Sequence, residues 1–223
     1  MGVVFLIVLA IHLFAIVVND DTLAMVTKPM LMTALLMLFF DKARKAVPKI
    51  KIYVFGALVF SLAGDVLLMF QQQDGRFFIF GLSAFLIAHV FYILYFRGAK
   101  KLNQATGSFS KTIAADLSVV YAIALLWVLF PRLGSMKIPV LVYGIVISLM
   151  LVSAIRAYVN LRSRFAILSI LGAVLFVASD SLLAINKFHT PFTDAGWMIM
   201  LTYGLAQFFI VWGSILNLKP VSE

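Results

Sequence analysis

Two aspartates stand inside apolar runs that are long enough to cross a lipid bilayer. Asp65 lies in the stretch SLAGDVLLM (residues 61–69), and Asp180 lies in ASDSLLA (residues 178–184). An unpaired charge at the bilayer centre costs about 3 kcal/mol or more, so such an acid is neutralised, paired or placed in a wet cavity. Two carboxyl groups in one pocket of low dielectric constant do not both ionise readily, and they share a proton near neutral pH. One acid and one base would then coexist, which suits hydrolysis of an acetal-like or ether bond.

Other polar residues in the apolar runs are candidates to line the same pocket. Ser61 precedes Asp65 by four residues, so the two share one face of a helix. Lys28 stands directly before Pro29, which would interrupt its helix and aim the ammonium at the pocket to hold a phosphate. The candidate substrate-binding residues are Lys28, Ser61, His89, Tyr92, Asn186, Tyr203 and Gln207. The alternative is that they form interhelical hydrogen bonds, and that Lys28 only reaches towards the membrane surface.

Composition identifies the class of protein that must position these residues. The chain has 223 residues, of which 64% are hydrophobic and 12% are charged, and its mean hydropathy is +1.09. These values indicate a polytopic membrane protein rather than a soluble domain. The net charge of +9 is therefore assigned to membrane-flanking loops and not to nucleic-acid binding.

The residue types that bind metals are scarce. The chain has no cysteine, which excludes disulfides and thiolate metal sites. The three histidines lie in separate regions without the spacing of a zinc motif. We expect neither a metal nor an organic cofactor.

Eight apolar segments, separated by polar or Gly/Pro-containing breaks, approach the length of about 20 residues that a membrane-spanning helix needs. They predict one all-α membrane domain over residues 1–223, with no soluble domain. The predicted helices are residues 3–18, 23–40, 52–70, 77–96, 113–130, 138–158, 165–185 and 195–216.

The distribution of basic residues predicts the orientation of the chain. Thirteen of the 18 Lys and Arg residues fall on the side that holds both termini, and five fall on the opposite side. Basic residues gather in cytoplasmic connections, so both termini are predicted to be cytoplasmic. In a bacterium the protein would lie in the inner, or cell, membrane. Asp65 and Asp180 would then lie in the outer half of the bilayer.

Two pairs of similar short segments predict an internal repeat. The aspartates fall on the third and seventh predicted helices, which run in the same direction. The sequence AHVFY (residues 88–92) on the fourth helix is echoed by AQFFI (residues 206–210) on the eighth. This pattern favours two parallel halves of four helices each.

The order of these motifs resembles a known family. SLAGDVLLM, AHVFY, ASDSLLAINKF and YGLAQFFI, together with an early KP, are similar to the YhhN family of integral membrane proteins, which includes the animal lysoplasmalogenases. The resemblance covers essentially the whole chain. It implies that Asp65 and Asp180 are a catalytic pair. It also implies hydrolysis of the vinyl ether of a lysoplasmalogen, a lysophospholipid taken from the bilayer, to a fatty aldehyde and a glycerophospho-ethanolamine or glycerophospho-choline.

Two other functions fit the same residues. Carboxyl groups near the midplane of a parallel repeat also occur in proton-coupled carriers of small molecules or lipids. A non-catalytic lipid-binding protein would use the aspartates only as hydrogen-bonding groups. A carrier needs a pocket that opens alternately to both sides, whereas a lipid hydrolase needs a dead-end pocket with a lateral opening.

Overall fold

The computed structural model describes residues 1–44, 49–103, 109–158, 161 and 163–218, without the side chains of residues 109–115. These residues form eight α-helices, and no β-strand occurs among them. The helices are α1 Gly2–Val17, α2 Asp21–Ala43, α3 Lys51–Met69, α4 Arg76–Leu102, α5 Phe109–Leu129, α6 Lys137–Tyr158, α7 Arg164–Ala184 and α8 Ala195–Leu218. Of the basic residues in the orientation argument, Lys45, Arg162 and Lys219 and the Lys111 side chain lie outside the described part.

Six of these helices are long and apolar enough to cross a membrane: α2, α3, α4, α6, α7 and α8. The sequence predicts eight spans, and among the described residues the structure gives six candidates. Helix α1 has only 16 residues, and at a rise of 1.5 Å per residue it reaches about 24 Å, less than the hydrocarbon thickness of about 30 Å. The all-helical membrane class is therefore confirmed, with six candidate spans.

Two helix starts are fixed by side-chain caps. The Leu23 backbone N–H donates to the Asp20 carboxylate at 2.9 Å, which caps α2. The Ala166 backbone N–H donates to Ser163 Oγ at 3.4 Å at the start of α7. These bonds satisfy donors that the first turn of a helix leaves free.

Helix α2 continues through Pro29 as one α-helix. The predicted interruption at Lys28 and Pro29 is therefore wrong. Proline removes one backbone donor, but membrane helices accommodate it when neighbouring helices and side chains satisfy the freed groups. The acceptor that Pro29 leaves without its usual donor is the Met25 carbonyl, four residues earlier on α2. The Thr33 hydroxyl donates to the carbonyl of Pro29 itself, at 2.9 Å.

The closest helix packing joins α7 to α8 and α3 to α4. A Cβ atom on Gly172 would lie 2.8 Å from both the Ala206 carbonyl oxygen and the Ile210 backbone nitrogen. A Cβ atom on Gly64 would lie 2.7 Å from the Phe85 ring. Small residues at such crossings let helices approach closely in a membrane. They hold the helices of both aspartates, α3 and α7, against their neighbours.

We expect Gly172→Ala to destabilise the protein, because the new methyl group would overlap backbone atoms of α8 that cannot move independently. Overpacking of this kind typically costs about 1–3 kcal/mol. Thermal unfolding of the detergent-purified variant measures the loss. Gly75→Ala is the matched control, because Gly75 has no heavy atom within 4 Å of the new Cβ and has φ −59°. Equal melting temperatures for both variants would contradict the close α7–α8 packing.

Candidate functional site

Asp65 and Asp180 line the same cavity, which has a volume of about 90 Å³. All six candidate membrane-spanning helices contribute to its wall. The polar lining residues are Lys28, Asp65, Gln71, Tyr143, Ser179, Asp180 and Tyr203, and the apolar ones are Leu68, Phe78, Leu82, Phe85, Leu183, Ile199 and Met200. The cavity lies near the C-terminal ends of α3 and α7, since each aspartate is four residues from the last residue of its helix.

A buried hydrogen-bond network holds Asp65, whose exposed fraction is 2%. The Tyr203 hydroxyl donates to the Asp65 carboxylate at 2.9 Å. Gln207, one turn further along α8, donates to Ser61 Oγ at 2.9 Å. The Tyr92 hydroxyl donates to the Gln207 carbonyl oxygen at 2.5 Å. This network ties α3, α4 and α8 together behind the cavity.

Asp180 has a separate partner. The Tyr143 hydroxyl on α6 donates to its carboxylate at 2.5 Å. The Asp180 side chain is 16% exposed, so it is more open than Asp65. Each aspartate is thus held by a tyrosine from another helix, and its placement among apolar helices would be costly without such a bond.

His89 lies beside Asp180 without bonding to it. Its Nε2 atom is 3.9 Å from the Asp180 carboxylate, which is too long for a hydrogen bond. The ring is fully buried and packs edge-on against Phe176 and Tyr143, with ring centroids 4.6 and 5.4 Å away. Neither ring nitrogen has a hydrogen-bond partner among the described residues.

Lys28 provides the positive charge of the cavity. It is half-buried on α2 and lines the cavity together with Asp65. It makes no salt bridge with any described acidic residue. The ammonium is therefore available to an anionic group of a ligand.

The other predicted site residues fall into two groups. Ser61, His89, Tyr92 and Gln207 are fully buried and lie behind the cavity wall rather than in it. Asn186 lies apart, in the π-helical turn Ile185–His189 that follows α7, where its side-chain oxygen accepts from the Phe192 backbone N–H at 3.2 Å. Lys28, Asp65, Asp180 and Tyr203 are the predicted residues that line the cavity.

Tyr143 is a site residue that the sequence analysis did not identify. A signal was present, because the dipeptide Tyr143-Gly144 on α6 repeats Tyr203-Gly204 on α8. Each of these tyrosines donates to one aspartate. A tyrosine followed by glycine in an apolar run is not sufficient by itself to indicate which acid it contacts.

The arrangement suits acid–base chemistry on an anionic substrate. It combines one buried and one half-buried carboxyl group, each accepting a hydrogen bond from a phenol, with one ammonium in a small cavity. In the part of the chain that the structure describes, no three His, Cys, Asp or Glu side chains cluster as a metal site would require.

Comparisons with known proteins agree on one family. The model of the YhhN family matches residues 23–214. The human protein named lysoplasmalogenase TMEM86A is 33% identical over 177 residues, which cover 76% of this chain and 68% of that protein. The Mycobacterium tuberculosis protein named lysoplasmalogenase is 34% identical over 161 residues, covering 70% of this chain and 58% of that protein. No solved structure matches the chain.

We expect Tyr92→Phe to destabilise the bundle. Loss of the phenol would leave the buried Gln207 carbonyl oxygen without its donor, at a cost of about 1–3 kcal/mol. Thermal unfolding in detergent measures the change. The matched control is Tyr53→Phe, which alters a half-buried tyrosine of α3 outside this network. An unchanged melting temperature for Tyr92→Phe would show that the Tyr92–Gln207 bond does not stabilise the protein.

Proposed function

This chain belongs to the YhhN family, and we propose that it is a lysoplasmalogenase. It would cleave the vinyl ether bond of a lysoplasmalogen to a fatty aldehyde and a glycerophospho-ethanolamine or glycerophospho-choline. The observation that carries the proposal is the meeting of Asp65 and Asp180 in one cavity that also contains Lys28. The names of the relatives in human and in M. tuberculosis support it.

The reaction requires an acid and a water molecule. A vinyl ether is stable to base, but it reacts with an acid at the carbon that is β to the oxygen. That carbon gains the proton, the double bond shifts, and an oxocarbenium ion forms. Water adds to the cation and loses a proton, and the resulting hemiacetal breaks into an aldehyde and an alcohol. One water molecule is consumed, and the proton returns to the enzyme.

We assign the proton donor to Asp180 and the carboxylate to Asp65. Lys28 lines the cavity together with Asp65, so a cation is present there to balance a negative charge on that carboxyl group. Asp180 is the more exposed of the two carboxyl groups and borders a second cavity as well, so it is the one placed to deliver a proton to a bound vinyl ether. Asp65 would stabilise the oxocarbenium ion and accept the proton of the attacking water.

The packing at the end of the bundle opposite the cavity, which we propose to be the cytoplasmic end, supports a hydrolase over a carrier. Tyr95, Phe96 and Tyr158 are fully buried there. The Tyr158 hydroxyl donates to the Tyr95 hydroxyl at 3.1 Å, and the Asn217 amide donates to Tyr95 at 3.2 Å. A carrier would have to break this cluster in each cycle to open the cavity to the cytoplasm, whereas a hydrolase can leave it intact. The proposal includes cytoplasmic termini and a cavity in the outer half of the membrane.

We expect Asp65→Asn and Asp180→Asn each to reduce aldehyde release from a lysoplasmalogen by at least about 100-fold, the lower range for a lost general acid or base. An amide neither gives nor takes the proton that the reaction needs. Asp116→Asn, at an exposed position of α5, should retain wild-type activity. The measurement is aldehyde release by detergent-purified protein.

Thermal unfolding of each variant separates lost chemistry from lost folding. Full activity in either folded Asn variant would eliminate that aspartate from the reaction. Absence of aldehyde release by the wild type over a series of lyso-ether lipids would instead overturn the hydrolase and favour the carrier.

We expect Lys28→Gln to raise KM for a lysoplasmalogen about tenfold or more, because a hydrogen bond to a charged group contributes about 1.5–3 kcal/mol. An alkenyl glycerol without phosphate should show the same KM with both proteins. Lys137→Gln, at an exposed position at the start of α6, is the control. An equal rise in KM for both substrates would remove Lys28 from phosphate binding.

A further inference from the structure

We propose that an apolar groove between α5 and α6 binds the alkenyl chain of the substrate. The inference rests on the proposed lysoplasmalogenase function and adds where the hydrocarbon lies. The vinyl ether would then sit beside Asp180, between a head-group cavity and a chain groove.

The groove begins at the reactive aspartate. A second cavity, of about 60 Å³, shares Asp180 and Tyr143 with the cavity described above. Its remaining wall is mostly apolar, with Leu125, Leu126 and Ile147 among its members. Asp180 is thus accessible from two cavities with different chemistry.

The second cavity continues along α5 and α6 towards the membrane. Ala122, Leu126, Gly144 and Ser148 also line an adjoining space of about 160 Å³, which extends to Val152. We refer to these two spaces together as the α5/α6 groove. From Val140 to Val152, the residues of α6 that line it rise about 18 Å along the helix axis. The groove therefore extends along enough of α6 to lie beside part of an extended alkyl chain.

The polar groups of the α5/α6 groove are already bonded within the protein. The Tyr121 hydroxyl donates to Ser181 Oγ at 2.9 Å, and the Ser181 hydroxyl donates to the Val177 carbonyl at 2.6 Å. The Ser148 hydroxyl donates to the Gly144 carbonyl at 2.6 Å. A hydrocarbon chain can cover these groups without leaving a donor unpaired.

Two observations indicate that a single-chain lipid occupies the groove. The groove joins the head-group cavity at Asp180, and the two spaces differ in charge. The head-group cavity contains the Lys28 ammonium, whereas the α5/α6 groove contains no charged residue except Asp180 at its inner end. A single-chain lipid has this same division, with an anionic phosphate at one end and hydrocarbon at the other. Beside the groove, Ile123 and Leu126 also line an open apolar space with Trp127, which is 79% exposed. The chain would enter laterally from the bilayer there.

Ala122→Phe tests the assignment, because Ala122 lines both parts of the groove. The matched control is Ala124→Phe, two residues along α5 at an exposed position outside the groove. Each buried methylene contributes roughly fourfold to binding, so exclusion of several should lower kcat/KM for a long-chain lysoplasmalogen at least tenfold. A short-chain lysoplasmalogen should be hydrolysed within about twofold of the wild-type rate. Ser148→Leu repeats the test if Ala122→Phe does not fold.

A binding measurement keeps this test independent of turnover. A lysolipid with a photoreactive diazirine at the end of its chain should label residues 119–152. Unlabelled lysoplasmalogen and Ala122→Phe should both reduce the labelling, while Ala124→Phe should not. Such labelling without any hydrolysis would support the groove and overturn the proposed enzyme. Hydrolysis with labelling elsewhere, or with equal losses for long and short chains, would overturn the groove and leave the enzyme standing.

Discussion

The cost of burying carboxyl groups in an apolar helical bundle is the constraint on which this structure depends. Asp65 and Asp180 lie on helices that are candidates to cross the membrane, and an unbonded carboxyl group there would oppose folding. A tyrosine hydroxyl offsets this cost at each acid by donating a hydrogen bond: Tyr203 of α8 donates to Asp65, and Tyr143 of α6 donates to Asp180. These bonds require α3 to face α8 and α7 to face α6, so the chemistry of the site and the arrangement of the helices are set together.

Glycines allow the two helices that carry the aspartates to pack closely against their neighbours. Gly172 lets α7 approach the backbone of α8, and Gly64 accepts the Phe85 ring of α4. Between the packed helices, a cavity of about 90 Å³ remains at the aspartates. A small and mostly apolar cavity strengthens the electrostatic effect of each charge within it. Lys28 therefore has more influence on a bound phosphate and on Asp65 than it would have in water.

The proposed reaction gives these features a common explanation. Protonation of a vinyl ether needs a neutral acid, a negative charge near the developing cation, and restricted access of water. Asp180, Asp65 and the small cavity between the helices would supply these three requirements. The proposed position of the substrate, with phosphate at Lys28 and hydrocarbon in the α5/α6 groove, would bring its vinyl ether to Asp180.

The sequence alone determines the class of protein and the identity of its unusual residues. Apolar runs and basic loops specify a helical membrane protein, because hydropathy is a local property of the chain. The same runs make Asp65 and Asp180 conspicuous. Which helices contact each other is not determined by neighbouring residues in the sequence. Tyr203 and Asp65 form a hydrogen bond although they are 138 residues apart, and no sequence periodicity relates them. Only tertiary packing decides that Tyr143 contacts Asp180, that Asn186 lies in a turn outside the cavity, and that α2 passes unbroken through Pro29.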